Sequence, residues 1–186
     1  MGTSSLRRIA QLRHIRSDLK CVPLRGNVET RIRKVAEGHV DAVVVACAGL
    51  NRMGLNERIS TILTADKFVP APAQGALAVQ IRSEDQELFG LVSQLDDEYS
   101  RIAAETERCV LSELHGGCSI PLGVYSQVVD DTKVTIDAIL SDIEGKRFIK
   151  RGGVSDILGA KELAGRVAGE LLEAGGRAIL EELRVE

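Results

Sequence analysis

The sequence predicts an α/β unit built on a parallel sheet, followed by a small α+β unit in which helices flank a three-stranded antiparallel sheet. Three observations carry this expectation. Residues 21–55 twice follow a short apolar run with a helical stretch, the pattern of strand–helix units on a parallel sheet. Residues 122–154 hold three alternating stretches parted by turn residues, as in a meander. Between them, two of the four prolines fall in residues 69–73, which marks a linker and a domain boundary in or just beyond it.

Taken in order, the chain opens with Thr3, Ser4 and Ser5, any of which can cap a helix, and Leu6, Ile9, Leu12 and Ile15 continue at helical spacing to about residue 18. Residues 21–24 are a short apolar run broken by Arg25-Gly26-Asn27, and a helix follows from about Val28 to Gly38. Residues 41–47 are rich enough in valine for a strand buried on both faces, with Gly49 and another short helix after it. Residues 76–81 are a further strand candidate. From 96 to 114 the positions Ile102, Ala103, Val110, Leu111 and Leu114 keep helical spacing, and this helix runs into His115-Gly116-Gly117. Strands are expected over 122–128, 134–140 and 147–154, parted by Asp130-Asp131 and Glu144-Gly145, before one long amphipathic segment over 158–183.

With 44% hydrophobic residues, the 186-residue chain can bury a sizeable core, and no apolar run approaches the ~18 residues of a membrane helix. Its opening lacks the apolar stretch of a signal peptide, so a cytoplasmic protein is expected. Cys21, Cys47, Cys109 and Cys118 form no C-x-x-C pair and have no histidine cluster nearby, so neither a metal site nor a disulfide framework is expected. Five aromatic residues and no Trp leave few faces for stacking nucleic-acid bases. Charge is unevenly spread: residues 1–34 hold nine Lys or Arg against two Asp or Glu, on a chain of net charge −3. A basic segment on an acidic protein points to an anionic ligand.

Three features could carry chemistry. Thr3-Ser4-Ser5 leading into Arg7 and Arg8 combines a helix N-terminus with two guanidinium groups, which would suit an anion site, although a capped surface helix with solvated arginines has the same local sequence. Arg25 and Arg52 each follow a predicted strand, where open α/β sheets collect ligands, and Arg31 lies in the first turn of the helix between them; several arginines together suit a ligand with many carboxylates, whereas unrelated surface arginines would look the same. Cys118 follows two glycines at a helix end, either as an accessible nucleophile near His115 or as a small packing residue. Cys47 and Cys109, inside strand and helix patterns, read as core, and so does Cys21.

The ordered motifs Gly-Thr-Ser-Ser-Leu-Arg-Arg (2–8), Leu-Arg-Gly-Asn-Val-Glu-Thr-Arg (24–31), Ala-Gly-Leu-Asn-Arg-Met-Gly-Leu (48–55), Gln-Gly-Ala-Leu (74–77) and Gly-Gly-Cys-Ser-Ile-Pro (116–121) together resemble porphobilinogen deaminases. The resemblance implies a hydroxymethylbilane synthase, a transferase of tetrapyrrole (haem) biosynthesis that condenses four porphobilinogen molecules head to tail with loss of ammonia. Cys118 would carry the covalent dipyrromethane cofactor. Ser5, Arg7, Arg8, Arg25 and Arg31 would bind the cofactor, and Arg25, Arg31 and Arg52 the substrate. The family's catalytic aspartate precedes the Gly-Thr-Ser-Ser motif and has no counterpart in this sequence. Gln80 and His115 depart from the family's usual pattern.

By this resemblance residues 1–69 are an incomplete second domain of the family that binds anions, 70–95 a segment returning to the first domain, and 96–186 the C-terminal domain with the cofactor loop. The expected partners are porphobilinogen and pyrrole intermediates, not nucleic acid or membrane. Family members are usually monomeric. This chain is expected to have impaired activity, to associate, or to need a complementing N-terminal chain, because the 76–81 strand would lack neighbours. Two other classes stand against this reading: a non-catalytic anion-binding module with an inert Cys118, and a nucleic-acid-binding regulator that uses the basic helix of residues 6–16.

Overall fold

A computed structural model describes residues 1–115 and 120–185. Three helices lead the chain: α1 (Leu6–Ile15), α2 (Val28–Ala36) and the short α3 (Cys47–Arg52). Their starts follow local chemistry. Asn27 caps α2 by accepting from the Thr30 N–H at 2.9 Å, and Ser5 stands at the N-cap of α1 with extended backbone.

The expected parallel strands are present only as single bridges, in which Gly2 pairs in parallel with Val22 on one side and Val43 on the other. Gly2 N–H donates to the Ala42 carbonyl at 2.8 Å and Thr3 N–H to that of Val22 at 3.0 Å. Residues 41–47 are therefore not a strand buried on both faces. Val43, Val44 and Val45 are half-buried, and Cys47 begins α3 rather than lying in a strand. A β-branched run becomes a strand only where backbone partners lie alongside it, and here a single residue, Gly2, pairs with it.

Residues 76–81 likewise form no strand; Leu77 is 92% exposed and Val79 63%. After them comes a helix not expected from the sequence, α4 (Gln86–Val92), capped by Asp85, whose carboxylate accepts from Leu88 N–H at 3.1 Å. Its Phe89 and Leu91 are exposed too.

The C-terminal half matches its pattern closely. Helix α5 (Glu98–Glu113) precedes strands β1 (Leu122–Val129), β2 (Lys133–Ser141) and β3 (Phe148–Asp156), which form an antiparallel sheet in the order β1-β2-β3. Val124 pairs with Ala138, and Ile136 with Gly153. Asp130 and Asp131 both take positive φ, 53° and 55°, in the turn between the paired Val129 and Lys133. The long terminal segment is two helices, α6 (Ala160–Leu171) and α7 (Arg177–Val185), broken at Gly175 with φ 108°.

Val110 of α5 and Leu114 at its C-cap, Val124, Val134, Ile136, Ala138 and Leu140 of the sheet, and Leu163, Val167 and Leu171 of α6 belong to one buried cluster. Period-two alternation turns Ile139, fully buried, to the opposite face, where it lines a cavity of about 210 Å³ with Gln11, His14 and Val69. Helix α1 thus docks on the back of the sheet. The β2–β3 turn seals that contact: Arg13 pairs with Glu144 at 2.6 Å, His14 Nδ1 lies 3.1 Å from the Gly145 carbonyl oxygen, and the His14 ring stacks on Phe148 at 3.9 Å.

Gly145 is required at this docking point. Its φ is 70°, and a Cβ would fall 2.5 Å from the Ala10 carbonyl oxygen and 2.6 Å from the His14 nitrogen. Gly145→Ala is expected to lower stability by about 1–3 kcal/mol, read as a drop in the thermal midpoint, because both the backbone conformation and the contact with α1 are strained. The same turn is held by Asp142, whose carboxylate accepts from the Lys146 N–H at 2.9 Å and from the Arg147 N–H and Nε at 3.1 Å each, while Arg147 also pairs with Glu182 of α7. Burial opposes the Asp142 charge, yet these hydrogen bonds hold its pKa below the ordinary 3.8. A carboxylate with a lowered folded pKa contributes stability that is complete above its ordinary value and lost as pH falls through the folded one. Thermal melts of the wild type should therefore decline below about pH 4 more steeply than those of Asp142→Asn.

Candidate anion-binding site

The start of α1 leaves polar groups free on one side and ties them down on the other. Thr3 Oγ1 accepts from the Ser5 N–H at 3.2 Å, and Ser4 Oγ both donates to and accepts from the Leu24 backbone at 3.2 and 3.0 Å. The Ser5 hydroxyl makes no capping hydrogen bond, so it and the first-turn N–H groups of α1 are available to an anion.

Arg7, only 6% exposed, donates through Nη1 to the Val69 carbonyl at 2.7 Å and through Nη2 to Gln74 Oε1 at 2.9 Å. Arg8 donates through Nη1 to the Val44 carbonyl at 2.6 Å. Among the described ion pairs, neither arginine meets a carboxylate. Burial, and then the neighbouring Arg8, push the Arg7 guanidinium down from the ordinary arginine range to about 10, still charged at neutral pH. Burial, then Arg31, lower Arg8. Two desolvated like charges satisfied only by neutral oxygens are costly, and an incoming carboxylate removes that cost. Both line a cavity of about 700 Å³ together with Gln74 and apolar walls from Val45, Leu50 and Phe68.

The other expected residues lie at different distances from this centre. Arg31 is near enough to Arg8 to repel its charge, and its Nε donates to the Gly26 carbonyl at 2.9 Å. Arg25 and Arg52 are exposed, and their guanidinium groups take part in none of the described hydrogen bonds. Asn27 is committed to capping α2. Cys118 and its two preceding glycines lie outside the described residues; α5 ends just before them, with His115 at φ 47°.

Sequence reasoning missed the groups that hold the arginines. The Gln11 side chain, 1% exposed, grips Val69 from both sides, Nε2 donating to its carbonyl at 2.9 Å and Oε1 accepting from its N–H at 2.8 Å. Residues 69–73 are therefore not a loose linker but a strap pinned against α1. Glu107 of α5 holds the strap's far end: Oε2 accepts from the Ala73 N–H at 2.5 Å, and Oε1 from the Ser126 N–H of β1 at 2.7 Å. Burial raises the Glu107 pKa above 4.5, and the two amide hydrogen bonds act in the opposite direction. A signal existed. Glu107 sits on the apolar stripe of Ala103, Val110 and Leu114, a place where a solvated carboxylate does not belong.

Comparison with known proteins agrees with this arrangement of the motifs. Residues 1–89 match the family model described as "Porphobilinogen deaminase, dipyromethane cofactor binding domain", and residues 101–173 match that of the porphobilinogen deaminase C-terminal domain. The chain belongs to the porphobilinogen deaminase family. It is 40% identical over 183 residues to the porphobilinogen deaminase of Syntrophobacter fumaroxidans, covering 98% of this chain and 59% of that protein. The corresponding protein of Roseiflexus sp. is 43% identical over 182 residues, covering 97% and 59%, and that of Syntrophomonas wolfei 43% over 186 residues, covering 99% and 60%. The chain thus spans about 59% of the length of the first two. No described helix is long and apolar enough to cross a membrane.

The dipyrromethane named for the family's domain fits the residues present. A carboxylate-bearing group is what a buried and a half-buried arginine, neither in a described ion pair, and an open helix start would accept. Gln11→Leu is expected to cost about 1–3 kcal/mol, measured by denaturant unfolding, because the buried Val69 N–H loses its acceptor while the carbonyl keeps Arg7, and to weaken anion binding by loosening the strap.

Proposed function

We propose that this chain serves tetrapyrrole biosynthesis as a hydroxymethylbilane synthase, joining four porphobilinogen molecules head to tail with loss of ammonia at each step, on a dipyrromethane primer held by a thioether to Cys118. The observation that carries this reading is the adjacent Arg7, buried, and Arg8, half-buried, satisfied on one side by backbone and amide oxygens, with Asp41 and Glu57 of the same cavity forming no described ion pair with either. Pyrroles bearing acetate and propionate groups supply the missing negative charge.

Arg7, with its guanidinium fixed by Val69 and Gln74, holds a carboxylate in one place rather than following it. Arg8 and the Ser5 hydroxyl bind neighbouring cofactor side chains, and Arg31 adds positive charge beside Arg8. The exposed guanidinium groups of Arg25 and Arg52 take substrate carboxylates from the open side. When bound, the primer supplies the pyrrole α-carbon on which the chain grows. The residues described here bind, orient and balance charge.

The division into 1–69, 70–95 and 96–186 belongs to the same proposal, as does a cytoplasmic location. Exposed Leu77, Val79, Phe89 and Leu91 support the expectation that the chain associates or takes a complementing chain. The nucleic-acid reading loses support from α1 itself, because Arg7 is buried and Arg13 is paired with Glu144, which leaves no continuous basic face to enter a groove.

Intact-mass measurement and peptide mapping test the proposal. The expected result is a dipyrromethane mass addition on the Cys118 peptide after exposure to porphobilinogen, absent in Cys118→Ala. An unmodified, freely alkylatable Cys118, in the presence of a complementing N-terminal chain, would overturn it in favour of a non-catalytic anion-binding module. Arg8→Gln should weaken binding of a polycarboxylate about tenfold, measured by titration calorimetry, the loss of roughly one charge-assisted hydrogen bond.

A further inference from the structure

The outer edge of β1 is covered by two groups from different parts of the chain. Val124 N–H donates to the Pro70 carbonyl at 2.9 Å, and Ser126 N–H donates to Glu107 Oε1. The Glu107 side chain, 6% exposed, uses its second oxygen on Ala73 N–H. Ala73 holds φ at 58°, a left-handed conformation that a residue with a Cβ adopts only under constraint, and the next residue is Gln74, whose amide oxygen receives Arg7. Hydrogen bonds from Ser126 and Ala73 to Glu107, and from Arg7 to Gln74, therefore connect the C-terminal sheet to the Arg7 guanidinium through the covalent Ala73–Gln74 link.

We propose that Glu107 is a positioning residue for the anion site: by holding Ala73 in its turn it presents Gln74 to Arg7, so that the C-terminal unit sets the aim of an arginine in the α1 pocket. This rests on the assignment of Arg7 to carboxylate binding. The side chain must offer two acceptors. A carboxylate gives one oxygen to each amide, whereas glutamine gives a single oxygen and turns an NH₂ group toward the other N–H. Aspartate keeps both acceptors on a stem one methylene shorter, so Glu107→Asp should retain part of the function that Glu107→Gln loses.

The full 186-residue chain is compared as wild type, Glu107→Gln and Glu107→Asp, at a temperature where circular dichroism shows all three folded. Two quantities are read: the dissociation constant of mellitate, a benzene hexacarboxylate that cannot react, and the hydrogen-exchange rates of the Ala73 and Gln74 amides with the NMR signals of the Arg7 guanidinium. The expected result is a three- to tenfold weaker mellitate affinity in Glu107→Gln, with faster Ala73 exchange and a shifted Arg7 signal, and an intermediate value in Glu107→Asp. Global destabilisation alone would lower the melting point without moving the affinity of the folded protein. Unchanged affinity, or unchanged Arg7 signals despite faster Ala73 exchange, overturns the proposal. If Glu107→Gln fails to fold, the comparison of Glu107→Asp with wild type decides by the same readouts. Should the wild type not bind mellitate at all, the carboxylate-binding reading fails, while the exchange rates and the Arg7 signals still decide whether Glu107 positions Gln74 and Arg7.

Discussion

A sheet with an open edge has to cover it, and the segment that covers the edge of β1 is the one on which the anion site is built. Pro70 and Glu107 satisfy two outward N–H groups of β1, and Val69, one residue before Pro70, is gripped by Gln11 and Arg7 of α1. The strap is thus fixed from both sides. Gly123 allows the close approach, since a Cβ there would meet the Val69 carbonyl oxygen at 2.9 Å. Were the strap free, Arg7 would have neither of its neutral acceptors and its buried charge would be unsupported.

That arrangement explains why the arginines are poised rather than merely present. An exposed arginine reaches for a ligand at the cost of ordering a long side chain. Arg7 is ordered before any ligand arrives, by a backbone carbonyl and an amide oxygen, and both leave its charge uncompensated. Elsewhere the same residue type is neutralised: Arg13 by Glu144, Arg147 by Asp142 and Glu182, Arg101 by Asp96. The contrast separates arginines that hold the fold together from those left for an anion.

The C-terminal half was legible because its determinants are local. Alternation specifies a strand with one buried face, Asp130-Asp131 and Glu144-Gly145 specify turns, and the ends of α5 fall within two residues of expectation. The first half was less legible for the opposite reason. Residues 41–47 and 76–81 have the composition of strands, but a strand is a pairing, and pairing partners are not encoded in the run itself. Helix α4 lacked a long periodic stretch to announce it, and Gly175 divides what reads as one helix.

For the site, the sequence by itself determined the chemistry: a basic start on an acidic chain, Arg7 and Arg8 behind a helix cap, a set of motifs in a fixed order, and a cysteine after two glycines. It could not rank those arginines, since charge and helical position are the same for a buried arginine as for a solvated one. Only the tertiary structure separated Arg7, held in the pocket wall, from Arg25 and Arg52 on the surface, and only it brought Gln11 and Glu107 to the strap and Gln74 to Arg7, the last across 67 residues of chain. The physical reason is that burial and hydrogen-bond partnership are properties of two surfaces meeting. A single stretch of sequence specifies one of those surfaces and not its counterpart.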